Sequence, residues 1–498
     1  MSRSLLMWNA RRRVPKGEFI ERREFLKGVA LAGAGALIAP SALAQRAGRD
    51  SSPRVVVIGA GLAGLACAYE LREAGADVYV FDARDRVGGR VVSMEDILSG
   101  KIVEGGGEFI GANHPRWIGY AERFGIDLRP SEPDNADRLE WPILVNNRFL
   151  AKPEADPVWD ALDRLTAGLN APARAVIAHE PWASENAAAL DAQTVAQWLK
   201  EQDITDDVRT LARASLEAEL GVMLEHASML ALLAMVRGGG VEDFWAHSED
   251  YRAVGGAQSL ARAFAETMKG RVILGAPVAK IAHEGSRTGV TLADGKFVRA
   301  DAIVLATPPS AWKTITLANN DTLLDRSVQM GLASKLIAIA PDAFWTRLAA
   351  APFGLTDTDT QMIWSTTAGQ TSPNPQDTRE VMVGFSGGPA AERIRAVDRP
   401  TRDNVMLRAA ARLWPGQAEG LMTVRFMDWR ADRWAQAGYS FPEPGQVTTV
   451  CKALREPLGV LHFAGEHCST AFTGYMEGAL ESGSRAARSI LTKASVAH

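Results

Sequence analysis

Val55 to Ile58 is an unbroken apolar, β-branched run, the pattern of a buried parallel strand, and it leads straight into Gly59, Gly61 and Gly64 in G-x-G-x-x-G spacing. That junction constrains the fold more than any other part of the 498 residues. The first glycine permits a tight strand-to-helix turn, the second lets backbone come close to a ligand, and the third lets the helix lie against the sheet. Leu62, Leu65, Ala66, Tyr69 and Leu71 continue at helical spacing, Gly75 is placed to end the helix, and Val78 to Phe81 reads as a second strand. Free N–H groups and partial positive charge at the helix start favour phosphate oxygens without a lysine. Asp82 closes the second strand, where an acid accepts hydrogen bonds from ribose hydroxyls and repels a 2′-phosphate. Together these features predict an adenine dinucleotide of the NAD or FAD type on an α/β framework.

The continuation from Asp82 to Arg90, DARDRVGGR, resembles the second half of the FAD fingerprint of the flavin amine oxidases, a family that includes monoamine, polyamine and L-amino-acid oxidases. That family usually carries glutamate where this chain has Asp82, so the acceptor is kept and its reach is shortened. Arg84 and Arg90 offer cations to the pyrophosphate, while Gly88 and Gly89 allow close backbone approach. The resemblance returns in separate blocks along most of the chain. It implies a Rossmann-like FAD-binding domain interleaved with an α+β substrate-binding domain, the amine oxidase fold.

The length itself favours two domains. On this reading the FAD-binding domain takes 50–115, 252–310 and 456–494. The substrate domain takes 116–251, read as helical because of alanine-rich stretches at 194–202 and 206–233, and then 311–455. Residues 1–45 are set apart as an export signal. Arg22-Arg23-Glu24-Phe25-Leu26-Lys27 resembles a twin-arginine motif, an apolar run from Gly28 to Ala39 follows, and Ala42-Leu43-Ala44 offers a cleavage site. The expected partner is the twin-arginine export machinery and the expected location is the periplasm. No later run approaches the roughly 20 apolar residues of a permanent membrane span. A net charge of -4 gives no electrostatic footprint for nucleic acid. Cys67, Cys451 and Cys468 form no C-x-x-C pair, and no metal site is implied.

Three further blocks carry the candidate chemistry. In Val103 to Gly111, VEGGGEFIG, successive glycines let backbone lie against a flat ring, and the resemblance makes Gly106, Gly107 and Glu108 flavin neighbours. In Leu461 to Arg488 a strand, a loop and a helix beginning near Tyr475 place N–H groups where a reduced flavin gains negative charge. By resemblance Glu466 contacts the ribityl or pyrophosphate region, Met476 gives a backbone N–H, and Val278 joins the cofactor contacts. Glu477 reads as an ordinary first-turn acid. In Trp429 to Gly445, Tyr439 matches one position of the family's aromatic cage, and Tyr475 matches the other. Gly438 stands where family members with covalently attached FAD carry a cysteine, so noncovalent FAD is expected.

Lys335 lies in LASKLIAIA, a run apolar on both alternating faces, so a buried strand must hold an amine. The alternative is an edge strand whose amine snorkels to solvent. The resemblance gives Lys335 a water bound to flavin N5. The implied activity is oxidative deamination of a primary or secondary amine: a hydride equivalent passes to flavin N5, the imine hydrolyses, and dioxygen reoxidises the flavin to give hydrogen peroxide. An L-amino-acid oxidase is the alternative, needing an arginine such as Arg237, Arg347 or Arg425 to clamp a carboxylate. A flavin-binding protein without turnover is the reading from a different class.

Overall fold

The computed structural model describes residues 52–131, 139–282, 288–318 and 326–496, so the segment 1–45 read as a signal lies outside the described residues. Strand β1 (Arg54–Ile58) is buried after its first residue and is followed by helix α1 (Leu62–Glu73) and strand β2 (Asp77–Phe81). Each glycine of the motif meets a different constraint. Gly59 has a φ of 109°, and a Cβ there would sit 2.9 Å from the Ala306 carbonyl oxygen. A Cβ on Gly64 would collide with the carbonyl oxygen of Gly59. One on Gly61 would meet nothing within 4 Å, because that position faces open space.

The remaining framework runs in chain order through β3 (Ile143–Val145), β4 (Arg148–Leu150), α2 (Asp206–Leu220), β5 (Val272–Ile273), β6 (Ala302–Leu305) and β7 (Ala333–Ala340). It continues through β8 (Phe353–Thr356), β9 (Met362–Ser365), β10 (Glu380–Gly387), β11 (Met422–Asp428), β12 (Leu461–Phe463) and α3 (Met476–Val496). A parallel sheet of order β12-β6-β1-β2-β5 gathers strands from widely separated stretches of sequence. On one face α1 packs against α3, and Gly483 lets them close, since a Cβ there would strike the Ala63 carbonyl oxygen. The second framework is a seven-stranded sheet, β11-β7-β10-β9-β8-β3-β4, antiparallel except for the β8–β3 pair. Strand β7 is hydrogen-bonded on both sides, to β10 and β11, and so is not an edge.

The stretch 116–251 is less uniformly helical than expected. It contributes β3 and β4 to the seven-stranded sheet, and Leu128–Pro130 pairs with Tyr251–Ala253. Helix Pro115–Phe124 packs instead into the α1 core, with Tyr120 against Tyr69 and Phe264. These strands are three residues long, too short to show a period, and are recruited by neighbours distant in sequence. The helical run expected over 206–233 is also broken. Thr205 caps the start of α2, and the helix stops at Gly221, whose φ is 71°. A new helix, Met229–Gly238, then begins at the Ser228 cap.

Candidate active site

A cleft opens between the parallel sheet and the seven-stranded sheet. Its floor is the turn from β1 into α1, its walls come from Gly106, Gly107 and Lys335, and the tyrosine pair lies beside the start of α3. The residues fit an extended dinucleotide. Gly61 leaves the space that a phosphate needs at a helix N-terminus, and Thr307, which lines the cleft, carries a buried Oγ1 without a partner among the described residues.

Asp82 lines this cleft, but its oxygens are already engaged: Ala60 N–H donates to Oδ2 at 2.6 Å and Arg84 N–H to Oδ1 at 2.8 Å. The carboxylate thus braces the glycine turn, and its remaining lone pairs are left for a ribose. Arg84 also lines the cleft and pairs with Asp432 at 2.5 Å. Arg90 donates to the Gly438 carbonyl oxygen and to Glu466 Oε1, both at 2.7 Å. Glu466 also accepts from Ser440 Oγ at 2.7 Å and from Gly474 N–H at 2.8 Å. Burial alone would raise its pKa, but Arg90, with His467 and the Ser440 hydroxyl, holds it below the usual carboxylate range. Val278, Gly89 and Met476 line the same cleft, and a Cβ on Gly107 would lie 3.1 Å from Met476 Sδ.

Glu108 departs from its expected place. It does not line the cleft; its side chain turns inward to a buried cluster. Lys335 Nζ donates to Oε2 at 2.9 Å, Arg252 Nε to Oε1 at 3.0 Å, Thr366 Oγ1 to Oε1 at 3.0 Å and Trp364 Nε1 to Oε1 at 3.2 Å. Burial would raise this carboxyl, yet Lys335 and Arg252 hold it down to about 2. Lys335 is buried as expected, and Nζ also donates to the carbonyl oxygens of Glu104 at 3.0 Å and Gly106 at 2.9 Å. An ammonium has three hydrogens, so none is left for the water that the resemblance assigned to it.

Tyr439 and Tyr475 both line the cleft and are fixed from behind by the end of α2. Tyr439 donates its hydroxyl to the Ala218 carbonyl oxygen at 2.6 Å, and Tyr475 donates to Glu219 Oε1 at 2.9 Å. Burial and the Glu219 carboxylate raise the Tyr475 pKa well above its ordinary value, so the ring stays a neutral phenol. No cysteine lines the cleft, and a Cβ at Gly438 would approach Ala333 N to 2.8 Å, leaving no room for a thiol without backbone movement. Glu477 is more than a first-turn acid: it accepts from the N–H groups of Arg116 and Trp117 at 3.0 and 2.9 Å, capping a neighbouring helix.

Sequence reasoning missed Arg252, Trp364, Thr366 and the end of α2. None belongs to a local motif; Arg252 lies 144 residues from Glu108. Thr307 carried a signal, because it lies two residues past β6 at the carboxyl end of the parallel sheet, where ligands bind in such folds.

A dinucleotide cleft facing a caged reaction end defines a flavoprotein oxidoreductase. Residues 62–491 match the flavin containing amine oxidoreductase family, and the chain belongs to it. It is 30% identical over 447 residues to a Mycobacterium tuberculosis protein that bears the name flavin-containing monoamine oxidase, covering 88% of this chain and 96% of that one. It is 27% identical to an L-amino acid dehydrogenase of Synechocystis, covering 92% and 96%. The structure matches cyclohexylamine oxidase from Brevibacterium oxydans with a TM-score of 0.77 and 29% identity, over 89% of this chain and 99% of that one. The protein is an FAD-dependent enzyme of amine oxidation.

Proposed function

We propose that the enzyme oxidises a small primary or secondary amine held in its neutral form between Tyr439 and Tyr475, exported to the periplasm and using dioxygen as electron acceptor. Bound FAD supplies a two-electron acceptor for the hydride equivalent leaving the carbon that bears the amine, and the imine then hydrolyses to give the deaminated product. The protein's part is binding and orientation. Gly59, Gly61, Gly64, Asp82, Arg84 and Arg90 hold the dinucleotide, while Gly106, Gly107 and Met476 meet its flavin end. The observation that carries this reading is the anchoring of both tyrosine hydroxyls to consecutive residues at the end of α2. That arrangement holds the rings, and not ionisable hydroxyls, as the parts available to a substrate.

Amino acids are the second reading, favoured by the relation to the cyanobacterial dehydrogenase. Arg237, Arg347 and Arg425 do not support it: all three are exposed, Arg347 pairs with Asp342 and Arg425 with Asp96. Anaerobic stopped flow with an amine panel and an L-amino-acid panel separates the two. Flavin bleaching by amines alone is expected, and bleaching by amino acids alone would reverse the assignment. Peroxide release on air admission tests the acceptor. The motif around Arg22 and Arg23 supports export, and lysine at both positions should keep the holoenzyme in the cytoplasm.

A further inference from the structure

We propose that Glu108 is a positioning residue that acts through Lys335, fixing its ammonium at the cleft wall so that a standing positive charge faces the reaction end. This rests on the reading of the cleft as the FAD site. Lys335 comes from β7, Glu108 from the loop after Glu104, Arg252 from Tyr251–Ala253, and Trp364 from β9 with Thr366 just beyond it. Three other parts of the chain thus converge on one carboxylate. Arg252 is itself fixed, donating to the carbonyl oxygens of Ser131 at 2.9 Å and Ser365 at 3.1 Å. With the neighbouring Glu104 carboxyl protonated, one carboxylate between two cations leaves the cluster with net positive charge, and of the three charged side chains only Lys335 lines the cleft.

The same ammonium holds the glycine loop, because its two other donors go to the Glu104 and Gly106 carbonyl oxygens. Carbonyl oxygens alone are poor compensation for a buried ammonium. Without the Glu108 charge, only neutral carbonyl acceptors hold the Lys335 side chain, and its charge is no longer fixed at the cleft wall. A fixed positive charge at that wall stabilises the negative charge that two-electron reduction brings to the cleft. Glu108 therefore reaches the reacting end only by way of Lys335. A purely packing role would alter folding or FAD retention and leave the electron affinity of the bound cofactor unchanged.

The test is the midpoint potential of bound FAD, measured by anaerobic dye titration at one fixed pH in the wild-type holoprotein and in E108Q, K335M and the double variant. A shift to more negative potential is expected in E108Q and in K335M, with the E108Q shift at least halved when Lys335 is absent. An E108Q potential that stays put or moves positive overturns the proposal, as does a shift that persists by more than half in the K335M background. Should E108Q fail to fold, Thr366→Val removes one donor from the carboxylate and keeps its charge. A smaller negative shift, again dependent on Lys335, is then expected, and an unchanged potential overturns the role. A wild-type chain that takes up no FAD overturns the cofactor reading instead, so the two failures are distinguishable.

Discussion

Glu104 and Glu108 stand four positions apart, both buried, with opposite ionisation. Glu108 faces two cations and is held down to about 2, whereas burial and the nearby Glu108 charge push Glu104 up to about 7 from an ordinary 4.5. The Glu104 carboxyl accepts from Ala257 N–H at 2.7 Å and meets Ser93 Oγ at 2.9 Å. Between pH 4.5 and about 7 the native state keeps a proton that the unfolded chain has released, so Glu104 makes stability fall as pH rises through that window. Glutamine reproduces the protonated form, with its oxygen toward Ala257 and its amide toward Ser93. Glu104→Gln should match wild type in urea unfolding at pH 5 and exceed it by about 1 to 3 kcal/mol at pH 8. Equal stability at both pH values would show that Glu104 is not held protonated. The motif residues were legible because their spacing is local: Gly59, Gly61, Gly64 and Asp82 serve one turn. Glu108 was misread because its orientation is decided by Arg252 and by Trp364, 256 residues away.

At the scale of elements, the point where α2 ends sets the cage. Gly221 adopts a φ of 71°, and a Cβ there would come within 2.9 Å of the Tyr439 ring. Alanine at 221 therefore carries a backbone cost of about 1 to 2 kcal/mol and also presses on a ring that must stay in register with the cleft. Gly75→Ala is the natural control, since its φ is 91° with nothing within 4 Å. Both variants should lose stability in thermal melts, and only Gly221→Ala should slow anaerobic flavin reduction by amine while retaining FAD. Equal reduction rates in the two variants would separate the Gly221 turn from the cage. The strands around the nucleotide motif were legible because they are apolar runs bounded by turn residues. The end of α2 was obscured by a helical apolar pattern continuing past it, although Gly221 and the Ser228 cap carried the signal for a break.

Across the whole molecule, the cofactor cleft is where the two sheets meet, so FAD stability and protein stability are linked. A ligand that binds only the folded state adds about 2.7 kcal/mol at a concentration 100 times its Kd. The interleaved fold was legible in outline because β5 and β6, which return to the parallel sheet, are short apolar runs, while the partners of Lys335 depend on how the second sheet closes over it. Two glycines in one motif now divide the contributions. Gly59→Ala meets the Ala306 carbonyl oxygen and a φ of 109°, so it should lower the melting temperature with or without FAD. Gly61 has an ordinary φ of -76° and open space around its Cβ position, so Gly61→Ala should leave the FAD-free melting temperature near wild type. Its methyl group occupies the approach that a pyrophosphate needs. The rise in melting temperature on FAD titration should therefore be large in wild type and nearly absent in Gly61→Ala. A full FAD-dependent rise in that variant would mean that the pyrophosphate does not lie against this turn.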